Sequence, residues 1–426
     1  MAGSWYTSPA FRRGALWLGL LLLLPVAINS IFFRDNDFLW HYDFGSLFLQ
    51  REERIVCGEW YLLGRRMLNG LLPLLPYRVA RFVIFALAVG CLVWVVREVS
   101  RLAQSVWPID RATATAASIF AVAGMFPLLL RDFQDCGLQL LLLAMLTAGA
   151  SALHAGRPVV GGAWLGLAAV YKTTPALFLG VLVWKRQWRA AGVMAACLVL
   201  LNLLPVLHLG PTLTWRCHQQ TLQRFVQCLR VEDIAENSIE PPNLKNQGLM
   251  AGFARYLQSY PPGHPMYLDH PAFWQVGNLD RPTARAVARG CMIALGLFLA
   301  FSLWGRSVSA REFLSPWAGL CILTALLSPL CWRHHLVLVL PALYLAWHIG
   351  LNAQAPRWLV GLLTLSLVVV WLPQRELLGS WATVLMAAKL DTWLFLGWAV
   401  LLVARVVNLP SVTAGEQAQP QARLAA

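Results

Sequence analysis

Four polar stretches stand between or within apolar runs, and each carries side chains that can do chemistry. Arg34-Asp35-Asn36-Asp37 stands where the first apolar run ends. A carboxylate fixed at a bilayer edge can act as a general base toward a hydroxyl, or hold a metal or a sugar. Arg131-Asp132-Phe133-Gln134-Asp135 lies between two apolar runs, and Gln139 stands at the head of the second. A buried amide in that position usually contacts another helix or a ligand. Lys172 sits in Tyr171-Lys172-Thr173-Thr174-Pro175, a polar break inside an apolar segment. A lysine at membrane depth needs a partner or water. Arg333-His334-His335 joins two further runs. Adjacent histidines with an arginine make a cationic, hydrogen-bonding cluster suited to a phosphate. Each stretch also has a plainer reading: a solvated helix end, a tight polar turn, a snorkelling lysine, interfacial polarity. Taken together they describe a site for an anionic lipid-linked substrate and a hydroxylated acceptor.

The elements that must position these residues are membrane helices. The chain has 426 residues, of which 58% are hydrophobic and only 13% charged. Several apolar runs approach or exceed the roughly 20 residues that cross a bilayer core. No water-soluble core hides that many such runs. Spans are expected near 14–33, 79–97, 113–130, 137–153, 190–209, 285–304, 313–330, 335–350, 358–373 and 391–407. The first follows Arg12-Arg13 but lacks a small-residue cleavage site, so it reads as a retained helix. Residues 158–184 are too few for two spans and carry the proline break. Two short helices that dip in and return fit them best. The expected fold class is all-α, a polytopic transmembrane bundle of about ten to twelve membrane helices. Interfacial helices are expected in the outer loops, over 38–72, 211–230 and 245–258. One domain covers 1–410, with large outer loops at 34–78 and 210–283, and 411–426 forms a disordered tail.

The net charge of +14 falls in short basic clusters beside the apolar runs. That is a pattern of topology and headgroup contact, not of nucleic-acid binding. The positive-inside rule puts the N-terminus, 97–111, 154–157, 185–189, 305–311, 351–357 and the tail in the cytoplasm. Asp37, Asp135, Lys172 and His334 then share the opposite face. The outer loops carry arginines too, against the simple form of the rule. Of nine cysteines, Cys57, Cys217 and Cys228 lie in polar outer loops, where an oxidising compartment permits a disulfide. Zinc is not expected, since no ligand spacing supports it. No Gly-rich nucleotide motif appears in the chain.

The local text resembles glycosyltransferase family 87, membrane enzymes of GT-C architecture that include polyprenol-phosphate-mannose-dependent mannosyltransferases. "DNDFLWHYDFG" is similar to the family's Asp-Phe-x-x-Tyr pattern in the first outer loop. "LLPLLPYRVAR" resembles its leucine-proline stretch, and "GGAWLGLAAVYKTTPALFL" its Gly-Leu-Ala-x-x-x-Lys-x-x-Pro segment. "NQGLMAGFARYL" is similar to its Asn-Gln-Ser-Leu segment, and "SPLCWRHHLVLVLPAL" to its Ser-Pro-x-x-Trp-x-His-His stretch. Where the family run opens Gly-Gln-x-Asn, this chain reads Gly137-Leu138-Gln139.

The resemblance implies transfer of a hexose or pentose, mannose first, from a polyprenyl-phosphate sugar to a glycan or glycolipid hydroxyl with inversion. It implies a first-loop carboxylate as base: Asp37 by position, Asp35 second and Asp43 third. It assigns His334 and His335 to the donor phosphate, with Arg333 and Lys172 adding charge. Asp132, Asp135, Gln139, Asn246 and Gln247 are further cavity candidates. No cofactor or metal is assigned, although a divalent cation is compatible. Membrane lipids are expected partners, the cell membrane the expected location, and the face away from the cytoplasm the active one. The competing readings are a transporter or flippase of lipid-linked sugars and a noncatalytic lipid-binding protein. A transporter would more often show related halves and a polar path through the whole bilayer.

Overall fold

A computed structural model describes residues 5–33, 37–52, 62–229, 246–259, 276–304, 308, 310–351 and 355–406. Asp35 and the 411–426 tail lie outside the described residues. The architecture is all-helical, with 82% helix.

The first helix, α1 (Pro9–Ile28), starts at Ser8, whose hydroxyl accepts the Phe11 N–H at 3.1 Å. Pro9 follows at a position where its missing N–H costs nothing. The internal Pro25 precedes a widened π turn, Asn29–Phe33, as expected where the regular ladder is broken. Two helices of the first outer loop follow, α2 (Asp37–Leu49) and α3 (Leu63–Asn69). The long α4 (Tyr77–Val106) then crosses the bundle, and α5 (Arg111–Gly124) returns. Between α5 and α6 (Phe126–Gln134) the chain bends by 61°. Pro127 lies in the first turn of α6 and cannot continue the α5 ladder. The bend lets α6 carry Arg131, Asp132 and Asp135 across the end of the bundle.

Next come α7 (Leu138–His154), the short pair α8 (Pro158–Tyr171) and α9 (Leu177–Trp184), and α10 (Trp188–Leu203). The second outer loop holds α11 (Pro211–Leu229) and α12 (Leu249–Leu257). The bundle is completed by α13 (Arg281–Ser302), α14 (Ala310–Leu326), α15 (Leu340–Gly350) and α16 (Arg357–Trp371). It closes on α17 (Trp381–Ala387) and α18 (Leu390–Val403). Helices α14 and α15 form the centre, with Trp317, Leu320, Ile322, Leu343 and Leu345 all shut from the surroundings. The rim is the reverse. Leu21, Phe82, Leu200 and Phe301 are among many large apolar side chains turned outward, and Phe301 is 81% exposed. A belt of this kind is what a bilayer solvates.

Four helical stretches are long and apolar enough to cross a membrane: Pro9–Phe33, Tyr77–Val106, Trp188–Leu209 and Pro282–Ser302. Counting each bent pair, α5–α6 and α17–α18, as one span raises the total to six. The expected figure of ten to twelve is therefore not reached among the described residues. Helices stand at each remaining expected position, but α7, α8, α9, α14 and α16 are each too short to qualify alone. The dip-and-return expected over 158–184 has its counterpart in α8 and α9, which meet at the Lys172 break through a 3-10 turn, Thr174–Ala176. Helices also occupy the expected interfacial stretches, as α2, α3, α11 and α12. Cys217 on α11 is disulfide-bonded.

The turn between α6 and α7 is tight because Cys136 (φ 62°) and Gly137 (φ 72°) are both left-handed. A Cβ on Gly137 would stand 2.2 Å from the Cβ of Ala88 on α4. Gly137→Ala should therefore cost roughly 1–3 kcal/mol, read as a lowered Tm of the purified protein in detergent. An unchanged Tm would mean that the turn does not press on α4.

Candidate functional site

The site is assembled by a small apolar anchor. Phe38, the residue after Asp37, is fully buried in a cluster with Ala80 and Cys136. Its ring lies 5.9 Å from Tyr77 and 6.4 Å from Tyr42. Cys136 is the residue after Asp135. Packing Phe38 against Cys136 thus brings the two preceding carboxylates side by side. Burial of a phenylalanine of this kind is worth about 3–5 kcal/mol by truncation, which is ample to hold the loop.

His334 is the third member. It belongs to a 3-10 turn, Arg333–Val339, between α14 and α15. Ligand atoms of Asp37, Asp135 and His334 all lie within 4.8 Å of one another. Asp37 is exposed, whereas Asp135 and His334 are buried. His334 Nδ1 stands 3.8 Å from Asp135 Oδ2, and Arg131 Nε 3.7 Å from the same oxygen. Burial pushes the His334 imidazole down to about 3, and the charges of Arg131 and Lys172 push it the same way. His334 is therefore a neutral hydrogen-bonding group at physiological pH. The cationic histidine cluster expected from the sequence does not form at this ring; the positive charge comes from Arg131 and Lys172.

Lys172 reaches the site from the α8–α9 break. Its Nζ lies 3.5 Å from Gln139 Oε1. Tyr171 fixes that break: its hydroxyl donates to Leu138 O at 3.1 Å, and its ring lies under the Arg65 guanidinium at 3.6 Å. Arg65 also donates to the Tyr171 carbonyl. Arg65 is itself buried, on α3. Asp132 does a different job. Its carboxylate accepts the N–H groups of Gln139 and Leu140, each at 3.1 Å, and so caps α7.

The remaining candidates hold the frame. Asn246 Oδ1 accepts from Gly248 N and Cys331 N, and its Nδ2 donates to Pro329 O at 2.9 Å. Gln247 N donates to Cys331 O at 2.6 Å, while its Nε2 donates to Met386 O at 3.1 Å. Lys389 Nζ donates to Asn246 O at 2.7 Å, and Thr392 Oγ1 donates to Gln247 O at 2.9 Å. Arg333 turns into the bundle. Its Nε donates to Asp391 Oδ2 at 2.7 Å, and its other nitrogens donate to the carbonyls of Pro373 (3.1 Å) and Val370 (3.0 Å). His335 is buried beside it, and its Nδ1 lies 3.2 Å from the Trp332 nitrogen and 3.1 Å from the Leu330 carbonyl oxygen. The turn that presents His334 is thus pinned from the start of α12, from α16 and from α18 at once.

The structure therefore brings together Asp37, Asp135, His334, Arg131, Gln139 and Lys172. Asn246, Gln247, Arg333 and Asp132 make structural contacts around them. Reasoning from the sequence missed Phe38 as anchor, Arg65, and the buried Lys389 and Asp391. Arg65 had left one trace, as an arginine in a loop where the charge rule expects few. The adjacent cations can stabilise charge that develops on a leaving phosphate. Two carboxylates and an imidazole also form a donor set that suits a divalent cation.

A model of glycosyltransferase family 87 matches residues 68–329. No curated protein matches the chain, and no solved structure does. The matched stretch includes Asp132, Asp135, Gln139, Lys172, Asn246 and Gln247, while Asp37 and His334 lie outside it.

The Arg333–Asp391 pair yields a stability test. Arg333→Met leaves the Asp391 carboxylate buried without its cation and should cost about 3–5 kcal/mol. Adding Asp391→Leu should restore much of that loss. A single variant as stable as the parent in thermal unfolding would remove the pair from the framework.

Proposed function

Because the chain belongs to glycosyltransferase family 87 and is a membrane glycosyltransferase, we propose that Asp37 is the base that activates its acceptor. The observation that carries this reading is the meeting of exposed Asp37 with buried Asp135 and His334. The donor is a polyprenyl-phosphate sugar carrying a hexose or pentose, with mannose favoured by the family resemblance. The acceptor is a hydroxyl of a glycan or glycolipid. Asp37 takes the hydroxyl proton as the acceptor oxygen bonds to the sugar's anomeric carbon. The bond from that carbon to the phosphate oxygen breaks on the opposite side, its electron pair leaves with the polyprenyl phosphate, and the configuration inverts.

Each neighbour then has a role. Lys172 and Arg131 supply fixed positive charge toward the departing phosphate. Neutral His334 contributes a hydrogen bond, and Asp135 stands beside Asp37 as a second carboxylate. Arg333 acts by holding the His334 turn and does not bind the phosphate. Asp35 remains a second candidate base, two residues before Asp37. The active face is the one away from the cytoplasm in the cell membrane. The same three donors also favour a variation in which Asp37, Asp135 and His334 hold a divalent cation, which would supply Lewis-acid charge stabilisation.

Asp37→Asn in purified protein, given a polyprenyl-phosphate mannose donor, should lower kcat by at least about 100-fold with Tm unchanged. Full activity would remove Asp37 as base. A chelator separates the two versions: transfer that survives EDTA supports the metal-free base, and transfer that is lost with EDTA and restored by a divalent cation supports the bound ion.

A further inference from the structure

The end of the bundle away from Asp37 carries a feature that sugar transfer does not use. Helices α4 and α5, joined by the short 107–110 connection, frame a groove of about 830 Å³. Arg97, Ser100, Gln104 and Arg111 line it toward the helix ends. Leu92, Val93 and Val122 line it farther in. At about 1.5 Å per residue, Arg97 lies about 30 Å along α4 from Tyr77, which packs on Phe38 beside the site. That is the thickness of a bilayer's hydrocarbon core. Arg111 opens α5, and Val122 lies about 16 Å deeper along it. The polarity of the groove is therefore graded like that of an amphiphile.

The charges in this region do not cancel. Glu98 pairs with Arg101 at 2.6 Å and faces Ser151. Asp110 caps α5 through the N–H groups of Ala112 (2.9 Å) and Thr113 (3.0 Å). Ser100 Oγ accepts from Tyr344 at 2.8 Å, and Gln104 Oε1 accepts the Ile109 N–H at 3.1 Å. Each polar neighbour is thus engaged. Among the described residues, no carboxylate forms an ion pair with Arg97 or Arg111. Both arginines are exposed at the mouth of the groove.

We propose that this groove binds one anionic glycerophospholipid from the leaflet opposite the chemistry. Arg97 and Arg111 take its phosphate, and an acyl chain runs inward along Leu92, Val93 and Val122. The sequence reads this face as cytoplasmic, where anionic lipids concentrate and basic pockets between membrane helices recognise their headgroups. The site shares no residue with the Asp37 cluster, so it stands or falls independently of the proposed reaction.

The test uses full-length protein in detergent, titrated separately with dioleoylphosphatidylglycerol, dioleoylphosphatidylcholine and inorganic phosphate. Tm and lipid retention in native mass spectrometry are both read. Phosphatidylglycerol should raise Tm and be retained as one molecule, with phosphatidylcholine clearly weaker and inorganic phosphate without effect. Arg97→Gln with Arg111→Gln should weaken retention roughly 30-fold, the share expected of two arginines at a membrane surface. Val93→Trp, which fills the apolar end, should reduce retention with both arginines intact. Equal stabilisation by phosphatidylcholine, equal stabilisation by inorganic phosphate, or undiminished retention in these variants would each overturn the proposal.

Discussion

The packing of Phe38 against Cys136 is the contact on which the rest of the site depends. It joins two segments almost a hundred residues apart in the chain. Neither carboxylate would be near the other without it, since Asp37 opens a short helix of the first outer loop and Asp135 ends a bent one. The contact in turn needs the tight turn at Cys136 and Gly137, which needs the close approach to Ala88. A hydrophobic anchor of one ring therefore sets the electrostatics of the whole cluster. The arrangement suits a membrane protein, where apolar burial against lipid contributes little and close packing must supply specificity.

The opposite wall is organised differently. His334 is delivered by a turn whose stability comes from buried polar contacts: Arg333 with Asp391, Asn246 with Cys331 and Pro329, Lys389 with Asn246. Buried pairs of this kind add little net stability but are costly to break. The site thus has an apolar hinge on one side and a polar lock on the other. Lys172 enters between them on a helix break that Tyr171 and Arg65 hold in place.

Much of the architecture was legible in the sequence because hydrophobic length and basic clusters report directly on membrane helices. Asp37, Lys172 and His334 stood out for the same reason: polar groups at membrane edges are costly, so they mark candidate sites. What pattern could not supply was partnership. Arg333 and His334 are adjacent and look equivalent, yet one points to Asp391 and the other to Asp135. Asn246 and Gln247 read as cavity candidates, and in the fold they bond backbone atoms and the Thr392 hydroxyl. Asp391 opens an apolar helix and gave no sign of an ion pair formed 58 residues away. Span number could not be read from composition for a related reason, since half-length helices and full spans share the same composition. The protonation of His334 depends on burial, which no local text encodes.

The most direct measurement is thiol cross-linking between Asp37→Cys and Asp135→Cys, in protein whose other free cysteines, the buried Cys136 excepted, are replaced, mapped by mass spectrometry. If the two loops meet as described, a short bifunctional reagent joins them in high yield in the folded protein, and Phe38→Ala reduces that yield sharply. If the two thiols react singly but are never joined, Asp37 and Asp135 do not share a site, and the assembly built on Phe38 is wrong.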